Sequence, residues 1–220
     1  MIKAVFFDLD GTLVNSIADL ANSTNFALSQ FGFEVHDTRK YYYFVGDGMR
    51  KLIERALPES ADENCKEIVF TTFIEHYRLH FADKTRPYDG ICELLRQLKN
   101  MGIELVVSTN KMQEMAEMVI KKNFENIFSY VCGNVKEFPV KPNPEYTLHI
   151  MKKMGYEPSQ CIFVGDSGID MKTAKNAGMK SVGVLWGFRT QDELKENNAD
   201  YIISKPSEII EIISGLNNEV

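Results

Sequence analysis

Apolar residues recur along the chain with two periods, and the switches between them mark its elements. Short runs rich in β-branched and aromatic residues predict buried strands at Ala4–Leu9, Glu104–Ser108, Tyr130–Cys132, Cys161–Val164 and Ser181–Leu185, with a weaker run at Tyr201–Ile203. Helical stripes lie between them. Ile91, Leu94, Leu95 and Leu98 fall three and four residues apart, and Gly102 follows as a stop signal. Asn143-Pro144-Glu145 supplies an N-cap residue, a proline for the first helical position and an early acid, predicting a helix to about Met154.

This alternation predicts an α/β fold, a Rossmann-like parallel sheet core with helices on both faces. From about Ser16 to Asp83 the alternation stops, and three successive segments read as helix with no strand between them. Ser16 with Asp19 forms a capping-box pattern. Met49, Leu52, Ile53, Ala56 and Leu57 make one apolar stripe, and Phe70, Phe73, Ile74, Tyr77 and Phe81 another. The expected organisation is a core of residues 1–15 and 84–220 with an all-helical subdomain, residues 16–83, inserted after the first strand. Pro87 punctuates the return to the core.

Composition narrows the classes without choosing among them. With 220 residues, 44% of them hydrophobic, the chain can bury one sizeable core plus a smaller unit. No run approaches ~18 consecutive apolar residues, so no membrane span is expected. The amino end runs directly into the first strand, leaving no room for a secretory signal, and a cytoplasmic location is expected. Cys65, Cys92, Cys132 and Cys161 lack metal-ligand spacing and read as reduced packing residues. A formal net charge of -6, with Lys and Arg scattered, argues against a nucleic-acid surface.

Four groups of polar residues fall at predicted strand ends or helix starts, where ligands of an open parallel sheet gather. Asp8 and Asp10 end the first strand and are followed by Gly11 and Thr12. Two adjacent carboxylates call for a cation or a reaction that uses them, one as nucleophile toward phosphorus and one as general acid and base; an acidic turn is the plain alternative. Thr109 and Asn110 follow the second predicted strand, where a hydroxyl and the N–H groups of a starting helix suit a phosphate oxygen. Ser108 reads as part of that strand, so Thr109 is the favoured hydroxyl. Lys141, fixed by neighbouring prolines, can neutralise a moving phosphoryl group. Gly165-Asp166-Ser167 follows another strand, with Asp166 placed to share Mg²⁺ with Asp8. Asp170 reads as a further ligand, as an acid that orients Lys141 or a metal-bound water, or structurally as the N3 acid of a capping box with Ser167.

Together and in this order, Asp8-x-Asp10-Gly11-Thr12, Thr109-Asn110, Lys141-Pro142 and Gly165-Asp166-Ser167-x-x-Asp170 resemble the haloacid dehalogenase-like superfamily of phosphatases over practically the whole chain. The insert resembles that superfamily's helical cap. The resemblance implies an obligatory Mg²⁺ held by Asp8, the Asp10 carbonyl and Asp166, and phosphoryl transfer in two steps. Asp8 would form an aspartyl-phosphate, Asp10 would act as general acid and base, and Thr109, Lys141, Asn110 and the N–H groups around Gly11 would hold phosphoryl oxygens. An aspartate at position 10 favours a phosphatase or phosphomutase over the superfamily's transport ATPases or dehalogenases.

In the insert, Val45-Gly46-Asp47-Gly48-Met49-Arg50-Lys51-Leu52 is similar to a segment of phosphoglycolate phosphatases. This implies that Gly46 and Gly48 approach the substrate and that Arg50 or Lys51 meets its carboxylate. Trp186-Gly187-Phe188-Arg189 is a second candidate rim, unless Trp186 only packs. Relatives with this type of cap also hydrolyse pyrophosphate, nucleoside monophosphates or sugar phosphates, or interconvert phosphoglucose isomers. The expected partner is a small phosphorylated metabolite, and the expected assembly a monomer or homodimer; a non-catalytic binding protein is the alternative from another class.

Overall fold

Val5 and Phe7 pack into one hydrophobic layer while Ala4 and Phe6 pack into the other, because successive side chains of a strand point to opposite faces. The same alternation holds for Leu105 and Val107 against Val106, and for Ile162 and Val164 against Phe163. A sheet buried on both sides needs such continuously apolar strands. These belong to a computed structural model that describes residues 1–218.

The described strands are β1 (Ala4–Phe7), β2 (Val14–Asn15), β3 (Arg86–Pro87), β4 (Glu104–Met112), β5 (Tyr130–Asn134), β6 (Cys161–Gly165), β7 (Lys180–Val184) and β8 (Tyr201–Ile203). Six of them form a parallel sheet in the order β5-β4-β1-β6-β7-β8, so β1 lies between β4 and β6. One face is covered by α5 (Ile91–Asn100), α6 (Gln113–Asn123) and α10 (Glu208–Asn218) through Leu94, Leu98, Val119 and Ile213. The other is covered by α7 (Glu145–Met154) and α8 (Gly168–Ala177) through Ile150, Met151 and Ala174. A short α9 (Gln191–Glu196) completes the core helices.

Two strand ends differ from the sequence expectation. β1 stops at Phe7 rather than Leu9, because the Leu9 carbonyl collects the N–H groups of Thr12, Leu13 and Val14 and turns the chain out of the sheet. β4 runs past Ser108 to Met112, where after an irregularity it pairs again with Asn134 of β5. Thr109 and Asn110 therefore lie in an extended segment, and the next helix begins only at Gln113.

Between β2 and β3 the chain forms four helices rather than three: α1 (Ile17–Gln30), α2 (Thr38–Phe44), α3 (Met49–Ala56) and α4 (Glu63–His80). The additional one is α2, a seven-residue helix capped by the Asp37 side chain on the Arg39 N–H and too short to show a periodic stripe. The four share a second hydrophobic cluster that includes Leu20, Leu28, Tyr41, Leu52, Ile53, Phe73 and Tyr77.

The chain leaves and re-enters the core side by side, with Val14 and Asn15 of β2 paired antiparallel to Pro87 and Arg86 of β3. Ser16 and Asp19 do not form the expected capping box. Ser16 Oγ donates to Asp10 Oδ1 at 2.5 Å, and buried Asp19 accepts from the Lys84 N–H, the Thr85 N–H and the Thr85 hydroxyl at 2.7–3.0 Å. The bond to Lys84 spans 65 residues, and together they satisfy the N–H groups of the returning chain. Asp19→Asn turns one acceptor into a donor facing those donors and is expected to cost about 1–3 kcal/mol. Thermal unfolding should then show a Tm lower by roughly 2–10 °C.

Candidate active site

The site lies beyond the carboxyl ends of β1, β4 and β6, where three central strands deliver their next residues to one place. Asp8 follows β1 and keeps an N–H bond to the Val164 carbonyl at 2.9 Å, so its position is fixed by the sheet. Asp166 follows β6, and carboxylate oxygens of Asp8, Asp166 and Asp170 lie within 4.8 Å of one another. All three residues are buried.

Lys141 enters from the loop before α7, and its ammonium uses three donors. It bonds Asp8 Oδ1 at 2.9 Å, the Ser108 carbonyl at 2.8 Å and Asp170 Oδ1 at 2.7 Å. Asp170 Oδ2 in turn accepts from the Ser167 N–H at 3.0 Å and the Ser167 hydroxyl at 2.7 Å. Asp170 thus combines two of the roles read from the sequence, closing the start of α8 and orienting Lys141. Asp166 Oδ2 accepts from the Phe188 N–H at 2.7 Å, and its Oδ1 lies 3.4 Å from the Thr12 hydroxyl.

Asp10 is held from two sides. Lys111 Nζ donates to its two carboxylate oxygens at 3.1 and 2.9 Å, and the Ser16 hydroxyl to Oδ1. Lys111 is 1% exposed as a side chain and lies 4.8 Å over the Tyr77 ring. Neither Lys111 nor Ser16 is assigned to the site by sequence reasoning, since the fold and not the local pattern sets their meeting with Asp10. A lysine directly after Thr109 and Asn110, just past the expected end of a buried strand, is the signal that could have found Lys111.

The charges are out of balance. Four carboxylates, those of Asp8, Asp10, Asp166 and Asp170, face the ammonium groups of Lys111 and Lys141. Burial pushes the Asp8 carboxyl up to about 6, with Lys141 opposing the rise and Asp170 adding to it. Asp166 is pushed well above the carboxylate range by burial and by the charges of Asp170 and Asp8. Burial alone would lower both lysines, but the paired carboxylates outweigh it and hold both above the usual ammonium value. Buried hard oxygens that ionise with difficulty on their own are the donor set a divalent cation fits, and Asp8, Asp166 and Asp170 are the residues that could hold one.

Gly11 serves the site through space. Its φ is +96°, and a Cβ there would lie 2.5 Å from Asp166 Oδ2. Its N–H bonds the Val14 carbonyl and that of Thr12 the Leu9 carbonyl, so neither is aimed outward as a phosphate donor. Thr109 Oγ1 accepts from the Lys111 N–H at 3.2 Å and keeps its own proton for a ligand. Asn110 is not free to hold a phosphate oxygen, because its amide bonds the Lys141 N–H at 2.8 Å, the Lys141 carbonyl at 3.1 Å and the Gly46 carbonyl at 3.2 Å.

A narrow cavity opens above Asp8, Asp10, Thr109 and Lys111. Its far wall is the helical segment, through Leu20, Val45, Gly46, Gly48, Met49 and Leu52. Gly46 and Gly48 do face it. Arg50 does not: it pairs with Glu67 at 2.6 Å and covers the Phe70 ring at 4.2 Å on the exposed surface. Lys51 pairs with Glu54. Trp186 packs against the core cluster and donates to the Thr12 carbonyl at 3.0 Å, so it supports the Asp8–Asp10 loop. The four cysteines are free, and no described helix is long and apolar enough to cross a membrane.

A parallel sheet whose strand ends gather these acids, a threonine and a lysine in this order defines a hydrolase class. The chain belongs to the haloacid dehalogenase-like hydrolase family, whose profile matches residues 5–184. Within it, the chain is 34% identical to the phosphoglycolate phosphatase of Neisseria meningitidis serogroup A, covering 99% of this chain and 96% of that one. The phosphoglycolate phosphatase of Aquifex aeolicus is 30% identical, covering 96% and 97%. A crystal structure of a predicted phosphoglycolate phosphatase from Haemophilus somnus superposes with a TM-score of 0.90 at 28% identity, over 96% of this chain and 98% of that one. A β-phosphoglucomutase from Clostridium difficile, at 22% identity and a TM-score of 0.80, shares the fold, with 100% of this chain and 98% of that one covered. The protein is thus a phosphatase, a phosphoric monoester hydrolase resembling the phosphoglycolate phosphatases.

Proposed function

We propose that this enzyme is a Mg²⁺-dependent phosphatase acting through an aspartyl-phosphate on Asp8, with 2-phosphoglycolate as the type of substrate it fits best. In this reading the helical segment between β2 and β3 is a cap over the site. The observation that carries the substrate choice is the cavity wall. On the cap side it offers the apolar side chains of Leu20, Val45, Met49 and Leu52 and two glycines. A sugar with several hydroxyls would leave them unpaired there, which a buried site penalises. A substrate with one small polar group beyond the phosphate avoids that cost. This disfavours the sugar phosphatase and phosphoglucomutase readings.

The chain's residues divide the work. Asp8 attacks phosphorus in line, forming a carboxyl–phosphate bond as the ester P–O bond breaks. Asp10 gives its proton to the leaving alkoxide and then takes one from the water that attacks the intermediate, releasing inorganic phosphate and restoring Asp8. Thr109 donates its hydroxyl to a phosphoryl oxygen. Lys141 exchanges its bond to Asp8 for one to the transferring group, while Asp170 and the Ser108 carbonyl keep it aimed. Asp8, the Asp10 carbonyl and Asp166 would hold Mg²⁺, which supplies neutralisation of the phosphate charge that these acids would otherwise repel.

Lys111 replaces Arg50 as the group for a substrate carboxylate, being the cation that lines the cavity while Arg50 faces solvent. Arg50→Ala is expected to leave kcat/KM for 2-phosphoglycolate within about twofold, as for an exposed ion pair. Lys111→Met removes a charge-assisted bond and is expected to lower the preference for 2-phosphoglycolate over ethyl phosphate by about 10- to 100-fold. The ratio separates recognition of the carboxylate from the general damage of disturbing Asp10. A purified-enzyme screen of small phosphate esters, with 2-phosphoglycolate, pyrophosphate and hexose phosphates included, tests the whole reading. Isomer formation from a hexose phosphate in place of steady phosphate release, with no release from 2-phosphoglycolate, would overturn it.

A further inference from the structure

Two core side chains hold the same short stretch of the helical segment by its backbone. Asn110, from the end of β4, donates to the Gly46 carbonyl at 3.2 Å. Arg189, from the loop after β7, donates through Nη2 to the Val45 carbonyl at 2.7 Å. Val45, Gly46 and Gly48 are also the backbone that roofs the cavity.

The close approach is built into the sequence on both sides. Gly46 has φ +119°, and a Cβ there would meet Arg189 Nη2 at 3.4 Å; Gly48 has φ +91°, and a Cβ there would meet the Asn110 carbonyl at 3.3 Å. Other residues would be strained at both positive-φ positions, and at Gly48 a side chain would also crowd the Asn110 carbonyl. Arg189 is itself only 10% exposed as a side chain, with Nε 3.4 Å from Glu193 and Nη1 without a partner among the described residues. An arginine kept so buried is a costly way to fill space and a strong way to hold a carbonyl.

Asn110 reaches further. The amide that holds Gly46 also accepts from the Lys141 N–H at 2.8 Å and donates to the Lys141 carbonyl at 3.1 Å. One planar group therefore fixes the roof of the cavity relative to the backbone of the lysine that bonds Asp8.

We propose that Asn110 and Arg189 form a latch in which Asn110 is a positioning residue, so that seating of the Val45–Gly48 loop and alignment of Lys141 occur as one event. Without the loop, Asn110 loses one of its bonds and its grip on Lys141 loosens; with the loop seated by Arg189, the amide is held in the orientation Lys141 requires. The enzyme then completes its phosphate site only when the roof is closed, which excludes bulk water from Asp8 and Lys141 while the bound ester is attacked. The inference rests on the reading of Lys141 as the phosphoryl-holding lysine, and its test separates the two.

The decisive reading is exchange of the Lys141 amide in Arg189→Met, because Arg189 touches the loop and not Lys141, whereas kcat also registers the loss of its charge near Asp166. Turnover of p-nitrophenyl phosphate with Mg²⁺ and amide hydrogen exchange are read on wild type, Arg189→Met, Arg189→Lys, Asn110→Ala and the Met–Ala double variant. The expected result is faster exchange of the Lys141 amide and a kcat at least about tenfold lower in Arg189→Met. Arg189→Lys, which keeps a donor for Val45, should recover part of both. The double variant should be no slower than Asn110→Ala alone, since both changes undo one event. Wild-type exchange at Lys141 with unchanged kcat in Arg189→Met overturns the latch, as does a double variant whose losses simply multiply. If Asn110→Ala does not fold, the Met and Lys variants of Arg189 decide. A wild-type enzyme that turns over no phosphate ester would overturn the phosphatase chemistry instead, while exchange at Lys141 would still report the coupling.

Discussion

Asp8→Asn is expected to abolish turnover, with kcat lower by about 10³-fold or more, while the folded structure persists. The amide keeps the size of the carboxylate and can still accept from Lys141, so the loss falls on the chemistry. What disappears is the nucleophile: a neutral amide oxygen does not form a stable bond to phosphorus. The position cannot be served by a neighbour. Asp10 is tied to Lys111 and Ser16, Asp170 to Lys141 and Ser167, and Asp166 to the Phe188 N–H. Rapid quenching of the wild type with labelled substrate should trap an acid-stable, hydroxylamine-sensitive phosphoryl group, and the variant should trap none. Beryllium fluoride should likewise seat on Asp8. A variant retaining more than a few per cent of wild-type kcat, or an adduct on another acid, would remove the proposed mechanism.

The second large effect concerns the divalent cation. At about one hundred times its Kd, Mg²⁺ should stabilise the fold by about 2.7 kcal/mol and raise Tm by roughly 5–10 °C. Chelation should stop turnover. The pH dependence has a defined sign. The Asp8 carboxyl is pushed up to about 6 in the metal-free fold, and Asp166 is raised as well, so the native state keeps protons that the unfolded chain has already released. Where the native state binds more protons, stability falls as pH rises. The metal-free protein therefore loses stability through this site as pH climbs from the ordinary carboxylate range to about 6. Mg²⁺ competes with those same protons, so below about pH 6 its affinity should weaken and its binding should release protons from Asp8. Thermal scans with and without Mg²⁺, at about pH 5 and about pH 7.5, check both effects. A Tm indifferent to Mg²⁺ at the higher pH would exclude a cation at these acids.

What the sequence makes legible is whatever is written locally. Asp8, Asp166 and Lys141 stand at strand ends or beside prolines, and the periodicity that locates those ends locates the acids too. The end of β1 falls two residues short of the expected one because Leu9 is apolar, yet its carbonyl is used to turn the chain. Thr109 resembles a helix start, since nothing local shows that β4 resumes pairing with β5 beyond it. Arg50 could have been oriented from its neighbours. Met49, Leu52, Ile53 and Ala56 are the buried face of α3, which leaves residue 50 turned outward. By contrast, the partners of Ser16, Asp19 and Lys111 are set by tertiary packing, with Lys111 meeting Asp10 across 101 positions. Local propensity offers Ser16 and Asp19 a plausible role at the helix start, and the three-dimensional fold puts both to other use.

The pairing of β2 with β3 has a bearing on how such enzymes diversify. Because the outgoing and returning chains run adjacent and are fastened together by Asp19, the distance between their ends stays the same whatever lies between. Closing a longer or shorter excursion across that fixed gap changes the entropy only slowly with length. The sheet below can therefore keep its acids in register while the inserted helices are exchanged for others, and a graft of a different insert between Asp19 and Lys84, which leaves Ser16 on Asp10 and the Asp19–Thr85 fastening in place, becomes a rational route to new ester preferences.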